Sequence, residues 1–210
     1  MKKAIFGFTV GDIAEIAIMC ALAIVLDKFV KIPFAPTGGS INLAMFPLYL
    51  VALRHGPFKG FLAGGIVFGL TTCILDGYGM QTYPLEYLVA FGACGLLGFV
   101  SKYYYLNFSK SNKQTIISIL LVVVSIILAA IIRIGAATID SIVLYEYELG
   151  PALAYNIPYI GISAAFVLIL VCVFLPVNIQ ITKVFKTSFI KGIFNENVLL
   201  DKSSSESIEK

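Results

Sequence analysis

The stretch TIISILLVVVSIILAAIIRIGAATIDSIVL, from Thr115 to Leu144, decides the fold. It is almost entirely apolar, and its only charged residues are Arg133 and Asp140. A helix that crosses a bilayer needs about 20 mostly apolar residues, because in lipid it must satisfy its own backbone hydrogen bonds. The stretch therefore predicts a membrane-spanning helix. Its excess length predicts an end that projects beyond the bilayer or bends.

The composition extends this prediction to the whole chain. Hydrophobic residues make up 59% of the 210 residues and charged residues 13%, and the mean hydropathy is +0.94. Soluble domains average about 45–50% apolar and about 25% charged residues. A soluble protein of this size would lack the polar groups to cover so much apolar surface. Soluble enzymes, nucleic-acid-binding proteins and disordered proteins are therefore excluded.

Five further stretches have the character of a span. They run from roughly Ile13 to Val30, Ile41 to Leu53, Phe58 to Leu75, Tyr83 to Tyr105 and Ala152 to Val177. Together with the first stretch they predict an all-α integral membrane protein, a six-transmembrane-helix bundle in the cell membrane. Residues 1–190 are expected to form this membrane domain. Residues 191–210 are expected to form a polar, flexible cytoplasmic tail.

The basic residues are divided unevenly between the two sides of the predicted bundle. One side holds Lys2, Lys3, Arg54, Lys59, Lys102, Lys110, Lys113, Lys183, Lys186, Lys191, Lys202 and Lys210, and the other holds only Lys28, Lys31 and Arg133. Because basic residues favour the cytoplasmic side, both termini are predicted to be cytoplasmic.

The outer side collects the carboxylates of Asp27, Asp76, Glu86, Asp140, Glu146 and Glu148. Their negative field would concentrate a cationic solute.

Polar residues at membrane depth need a reason, because a charge there costs at least about 2.5–3.5 kcal/mol on insertion scales. Glu86 is either a cavity carboxylate that binds a cation or an interfacial residue that reaches toward the headgroups. Asp140 lies two helical turns after Arg133, so it either interacts with that arginine through water or backbone or contacts a ligand. Asn156 shares a helical face with Tyr159, and an asparagine inside an apolar helix needs a partner.

Catalytic and metal-binding motifs are missing from the sequence. The only histidine is His55, and the four cysteines, at positions 20, 73, 94 and 172, have no metal-ligand spacing. No glycine-rich phosphate loop is present. The chain is therefore predicted not to be an enzyme and to need no metal or cofactor. Small residues at helical spacing, Ala17 with Ala21 and the glycines 60, 64, 65 and 69, predict packing seams.

Several short motifs carry a family resemblance. They are Glu15–Ala21 with Val25–Asp27, Pro36–Ser40, Met45–Leu50, Arg54–Gly56, Leu85–Phe91, and Tyr155-Asn156 with Tyr159. In order and spacing they resemble the substrate-binding S components of energy-coupling factor (ECF) vitamin transporters, in the thiamine-specific branch. The resemblance covers roughly residues 11–180.

The resemblance implies a six-helix substrate-binding bundle with a vitamin pocket at its outer side. The loop around Thr37 to Ser40 would be a lid, or only a connector. Glu86 would face the positive charge of thiamine, Tyr87 and Tyr145 would stack on the ligand, and Asn156 would hydrogen-bond the pyrimidine. The predicted substrate-binding set is Glu86, Tyr87, Asn156, Tyr145, Asp140 and Tyr159.

The resemblance also implies partners. Ala17 and Ala21 would form the surface that docks on a transmembrane coupling subunit. That subunit would work with two ATPase subunits as an ECF-type ABC transporter that imports thiamine, and the chain itself would bind no nucleic acid.

Two contacts that the family usually makes are missing. Ala137 stands where a histidine is usual and Pro151 where a tyrosine is usual, and the chain has no tryptophan. Either Asp140, Glu146 and neighbouring tyrosines substitute for them, or the ligand is another small cationic heterocycle, such as a thiamine precursor. A third hypothesis is a non-transporting membrane scaffold whose tail, from Lys191 onward, binds partners.

Overall fold

This computed structural model describes residues 6–35 and 38–197 of the chain. Within these ranges the elements follow in the order α1 (Val10–Lys28), β1 (Lys31–Ala35), β2 (Gly38–Asn42), α2 (Met45–His55), α3 (Pro57–Asp76), α4 (Met80–Asn107), α5 (Asn112–Tyr145), α6 (Leu149–Val184) and α7 (188–197). Four of the helices in the described part, α3, α4, α5 and α6, are long and apolar enough to cross a membrane. The architecture is therefore that of a mostly helical, multi-pass membrane protein, as the composition predicted.

The first predicted span corresponds to α1, which begins with a capping box. The Thr9 hydroxyl accepts a hydrogen bond from the Asp12 backbone N–H at 3.2 Å, and the Asp12 carboxylate accepts one from the Thr9 backbone N–H at 3.2 Å. Each bond satisfies a donor that the first helical turn leaves free. The helix buries one face, formed by Asp12, Ile16, Cys20, Ala23 and Asp27.

The second predicted span corresponds to α2, which is the buried centre of the bundle. Every residue from Pro47 to His55 is buried, and α1, α3, α4 and α6 pack around the helix. The span was expected to begin at Ile41, but Ile41 and Asn42 belong to β2 and the helix begins at Met45. With only 11 residues, α2 is short for a membrane span.

A β-hairpin follows α1, where the sequence predicted a loop. Strands β1 and β2 are antiparallel, with Ile32 opposite Ile41 and Pro33 opposite Ser40. Gly39 has a φ of 71°, and a Cβ on it would lie 2.9 Å from the Tyr155 hydroxyl oxygen. Both the left-handed backbone and this close approach favour glycine, which lets the hairpin lie against α6. Thr37 lies outside the described residues.

Helices α3 and α4 are irregular. The ends of α3, Pro57–Phe61 and Gly69–Asp76, are α-helical and its middle, Leu62–Phe68, is π-helical. Helix α4 comprises a 3₁₀ turn (Met80–Thr82), a π-helix (Tyr83–Val89), an α-turn (Ala90–Gly92), a second 3₁₀ turn (Ala93–Leu96) and an α-helix (Leu97–Asn107). The two helices touch at glycines: a Cβ on Gly64 would lie 2.4 Å from the Phe91 carbonyl oxygen. The glycines of α3 therefore form the packing seam that their spacing predicted.

The chain returns to the bundle after α6. In α7, Phe189, Ile190 and Ile193 are buried against the main hydrophobic core. Residues 191–197 of the predicted tail are thus helical, and residues 198–210 lie outside the described part.

Candidate functional site

A cavity of about 320 Å³ opens at one end of the bundle, between the hairpin and helices α3 to α6. Its walls comprise Asp27, Lys31, Pro33, Gly39, Ser40, Asn42, Asp76, Tyr78, Thr82, Glu86, Tyr87, Phe91, Arg133, Asp140, Ser141, Tyr145, Tyr147, Tyr155, Asn156 and Tyr159. All six residues of the predicted substrate-binding set are among them. Cavities of this size hold small organic molecules. Glu146, the other carboxylate considered from the sequence, is exposed and lies outside the cavity wall.

Glu86 and Tyr87 reach the cavity from the π-helical part of α4. Pro84 has no backbone N–H to donate. The 3₁₀ turn before it, Met80–Thr82, is closed by the Tyr83 backbone N–H, which donates to the Met80 carbonyl. A π-helical turn is wider than an α-helical one and is often found at functional sites. Glu86 is half-buried, and among the described residues its carboxylate has no hydrogen-bond or salt-bridge partner. Tyr87 is buried.

Two of the other three carboxylates of the cavity wall, Asp27 and Asp76, share one cation within the protein. The Lys28 ammonium lies 3.0 Å from a carboxylate oxygen of Asp27 and pairs with Asp76. Asp27 also accepts a hydrogen bond from the Asn42 side-chain amide at 2.9 Å, and Asp76 accepts one from the Tyr87 hydroxyl at 3.0 Å. This network fixes the ends of α1 and α3 and the base of the hairpin, and it leaves neither carboxylate without a partner.

Asn156 has the partners that its place in an apolar helix requires. Its amide nitrogen donates to the Ser141 hydroxyl at 3.1 Å, and its amide oxygen accepts from the Tyr159 hydroxyl at 3.1 Å. Ser141 in turn donates to the Ala137 carbonyl at 2.8 Å. These bonds orient the asparagine at the junction of α5 and α6. One N–H and one lone pair of its amide are left for a ligand.

Arg133 and Asp140 both line the cavity, but no hydrogen bond or salt bridge between described residues joins them. The Arg133 guanidinium instead lies over the Phe91 ring, 4.6 Å from its centroid. Asp140 is 3% exposed, and its Oδ1 atom has no hydrogen-bond partner. The cavity therefore contains a buried cation held by an aromatic ring and a buried carboxylate oxygen without a partner in the described chain.

Aromatic rings form the wall between the hairpin and α6. Phe34 lies 6.0 Å from Tyr155 and 5.8 Å from Tyr159, and the two tyrosine rings are 5.5 Å apart, measured between centroids. Tyr145 and Tyr147 stand at the mouth, 6.4 Å apart. Such rings can stack on a flat heterocycle or on a cation. Phe34 is not itself one of the residues that line the cavity; it packs on the two tyrosines from the hairpin, which the sequence did not predict.

A second polar group lies at the opposite end of the bundle. We call it the ionic cluster, and it comprises Asp12, Glu15, Arg54, His55 and Lys59. Asp12 accepts from the Lys59 ammonium at 3.0 Å and from Ser188, while Glu15 pairs with the Arg54 guanidinium. The two His55 ring nitrogens lie 3.5 Å from Asp12 and 3.4 Å from Glu15. Apart from Glu15, these side chains are almost completely buried.

The ionic cluster ties five elements together. Arg54 donates to the Asn178 and Thr182 side chains of α6, at 3.2 Å and 3.1 Å, and to the Phe185 carbonyl at 3.1 Å. Lys59 donates to the Ser188 hydroxyl of α7 at 3.0 Å. The cluster therefore holds the first turns of α1 against α2, α3, α6 and α7.

The two predicted docking alanines lie on the outside of the bundle. Ala17 and Ala21 are exposed on the face of α1 opposite its buried residues. Among residues 6–35 and 38–197, no three His, Cys, Asp or Glu side chains are grouped to hold a metal ion. The described cysteines are all free.

Comparison with known proteins identifies a family for this chain. Residues 13–186 match the family model described as "Thiamine transporter protein". The thiamine transporter ThiT of Bacillus subtilis is 31% identical over 175 residues, which cover 75% of this chain and 86% of that protein. A protein of Leuconostoc citreum named only as UPF0397 is 32% identical over 112 residues, covering 53% of this chain and 57% of its own.

A solved structure has the same fold as this chain. A structure of ThiT from Listeria monocytogenes superimposes with a TM-score of 0.64 at 24% sequence identity. The match covers 79% of this chain and 93% of that one.

Proposed function

The chain belongs to the thiamine transporter protein family, and from that premise we propose that it is the thiamine-binding S component of an ECF-type vitamin transporter. The observation that carries the proposal is Glu86, a carboxylate without a hydrogen-bond or salt-bridge partner among the described residues, in an aromatic-walled cavity of about 320 Å³. The Bacillus subtilis relative is named as a thiamine transporter, and no catalytic step is assigned to this chain.

Electrostatics supports a permanent cation as the ligand. The thiazolium ring of thiamine cannot lose its positive charge, so it needs an anionic partner when it leaves water. A carboxylate about 4 Å away attracts such a charge by about 4 kcal/mol at an effective dielectric constant near 20. Asp27 and Asp76 share the single ammonium of Lys28, whereas Glu86 has no hydrogen-bond or salt-bridge partner among the described residues and is left to offset the charge of the ligand.

The rings and the amide then orient the ligand. Tyr87 and Tyr145 stack on it, Tyr159 closes the wall beside them, and Asn156 hydrogen-bonds the pyrimidine through the N–H and lone pair that its protein partners leave free. These roles are supported by the position of all four side chains in the cavity wall. The hairpin packs on α6 through Phe34 and serves as the lid.

The membrane topology that we propose has six crossings. Helices α1 and α2 cross together with α3 to α6, and both termini are cytoplasmic. The distribution of basic residues supports this orientation: Arg54, Lys59 and Lys102 lie toward the end that carries the ionic cluster, and Lys28, Lys31 and Arg133 lie toward the cavity. The cavity then opens to the outside.

Uptake also requires a source of energy, which this chain does not provide. We assign it to two ATPase subunits that act through a transmembrane coupling subunit, with Ala17 and Ala21 as the docking surface. Exposed small side chains allow a second helix to approach closely. The nucleotide cycle would reorient the S component and release thiamine inside the cell.

The docking surface is tested by enlarging one alanine. Ala17→Trp is expected to abolish thiamine uptake in cells that contain the coupling module, while the purified variant binds thiamine as tightly as the wild type. Val173→Trp, at an exposed position on α6, is the control and should leave uptake intact. Co-purification of Ala17→Trp with the coupling subunit at normal yield would contradict the assignment.

The binding function is tested by titrating thiamine into the purified protein in detergent, with calorimetry and tyrosine fluorescence as readouts. Submicromolar affinity is the expected result. Failure of the folded protein to bind thiamine would overturn the proposed ligand. The second candidate, another small cationic heterocycle such as a thiamine precursor, would then take its place. Ala137 favours that candidate, because it is a buried methyl group with no polar side chain to offer.

A further inference from the structure

Asp140 stands apart from the other carboxylates of the cavity wall. It comes from α5, whereas Glu86 comes from α4, and it is 3% exposed. Its Oδ1 atom has no hydrogen-bond partner within the described chain. A buried carboxylate oxygen without a donor is costly, so a protein retains one where a function requires it.

None of the neighbouring donors is bonded to Asp140 within the described chain. The Arg133 guanidinium lies over the Phe91 ring and makes no hydrogen bond or salt bridge with Asp140, and the Ser141 hydroxyl donates to the Ala137 carbonyl. Lys28 lies between Asp27 and Asp76. Lys31, also in the cavity wall, is exposed and reaches the site from the hairpin. The donor that suits Asp140 is therefore one that enters with the ligand.

We propose that Asp140 is a specificity-determining residue that accepts a hydrogen bond from an amino group on a heteroaromatic ring of the ligand. The inference rests on the proposed function and deepens it. Glu86 offsets the fixed positive charge on one ring of the ligand, and Asp140 accepts a hydrogen bond from a neutral N–H group on the other ring. A carboxylate has only acceptor atoms, so it favours an amino group and disfavours an oxo group at the same position.

The surroundings of Asp140 match this role. Ser141, the next residue, accepts a hydrogen bond from Asn156, and Asn156 accepts one from Tyr159. The residues beside Asp140 therefore present oriented hydrogen-bonding groups, whereas Glu86, on α4, has no hydrogen-bond or salt-bridge partner among the described residues. An amino-substituted ring with a ring nitrogen beside the amino group could use Asp140 and Asn156 together.

The test compares thiamine with its analogue in which oxygen replaces the pyrimidine amino group. Both carry the same thiazolium charge. The wild type is expected to prefer thiamine by at least about tenfold, because a site built for a donor leaves its acceptor unpaired when the donor is missing. Asp140→Asn offers an amide in place of the carboxylate, and it should lower this preference to less than about threefold or reverse it.

Two controls separate this inference from the proposed function. Glu86→Gln should weaken both ligands by similar factors and preserve their ratio. Glu146→Gln, at an exposed carboxylate on the same end of α5, should change neither. An unchanged ratio in Asp140→Asn would overturn the role of Asp140 even if thiamine binds. Failure of the wild type to bind either compound would instead overturn thiamine as the ligand.

A stability measurement tests Asp140 without any ligand. If the carboxylate is kept for the ligand, Asp140→Asn should melt at the same temperature as the wild type or higher, because no contact within the protein is lost. A lower melting temperature of the ligand-free variant would show that the carboxylate has a structural partner, and would overturn the proposal whatever the binding result.

Discussion

The two ends of the bundle both bury charged side chains, but they treat them in opposite ways. In the ionic cluster, Asp12, Glu15, Arg54 and Lys59 each have an oppositely charged partner, and further hydrogen bonds come from α6 and α7. At the cavity, neither Glu86 nor Asp140 forms a salt bridge or hydrogen bond with another described residue, and the Arg133 guanidinium acts on Glu86 only from beyond salt-bridge distance. The same residue types therefore stabilise the fold at one end and are available to a ligand at the other.

This difference separates structural from functional charge. A buried pair with complete hydrogen bonding roughly balances its own desolvation cost, whereas a lone buried charge does not. Removing one member of a pair should therefore damage the fold, and removing an unpaired carboxylate should damage only binding.

The largest effect is expected at Lys59, which is fully buried and pairs with Asp12 at 3.0 Å. Lys59→Met leaves the Asp12 carboxylate buried without its cation. We expect the free energy of unfolding to fall by about 3–5 kcal/mol, the usual cost of breaking a buried pair. Thermal melting and the yield of folded protein in detergent measure the loss.

The matched control is Lys102, which pairs with Glu196 at 2.7 Å but is 42% exposed. Lys102→Met should change the melting temperature little, because water screens an exposed pair. Combining Asp12→Asn with Lys59→Met should recover part of the loss, since the unpaired charge is then gone. Equal melting temperatures for Lys59→Met and Lys102→Met would contradict the structural role of the cluster.

The next effect is expected at Glu86, at the other end. Glu86→Gln keeps the size of the side chain and removes its charge, so thiamine binding should weaken by at least tenfold, about 1.4 kcal/mol. The ligand-free protein should melt no lower than the wild type. Calorimetric titration and a melting curve of the same sample test both halves of the prediction.

Glu148→Gln is the control for this substitution. Glu148 is exposed at the start of α6, near the cavity but outside its wall. A similar loss of affinity in both variants would assign the effect to the general negative field of the outer side. An unchanged affinity in Glu86→Gln would remove Glu86 from the binding site.

The sequence predicted the membrane character and much of the cavity. Apolar runs located α3, α4 and α5 to within three residues at each end, because lipid imposes a simple length and composition on a span. They also located the start of α6, which continues seven residues beyond the predicted end at Val177. The six predicted substrate-binding residues all line one cavity. Most of those assignments came from the family resemblance, and only the carboxylates and Asn156 stand out by chemistry alone.

The sequence did not predict the features that depend on tertiary contacts. The hairpin is too short to show a strand pattern, and its position depends on Gly39 packing against Tyr155. The ionic cluster joins residues as far apart as Asp12 and Ser188. Asp12 and Glu15 lie at the start of an apolar run, and the sequence alone does not show their partners.

The smallest effect is expected at Tyr87, which combines both kinds of contact. Its ring lines the cavity, but its hydroxyl donates to Asp76 within the protein at 3.0 Å. Tyr87→Phe keeps the ring and removes that bond, so unfolding should become easier by about 1 kcal/mol. Thiamine affinity should change by less than about threefold, or about 0.7 kcal/mol.

Tyr83→Phe is the control, because Tyr83 lies in the same π-helical segment, donates to the Gly65 carbonyl at 3.1 Å and lies outside the cavity wall. The two variants should lose similar stability. Tyr87→Phe could instead lose thiamine affinity as strongly as Glu86→Gln. That result would show that a hydroxyl bonded within the protein also binds the ligand, and it would contradict the division of the cavity groups into paired groups that stabilise the fold and unpaired groups that bind.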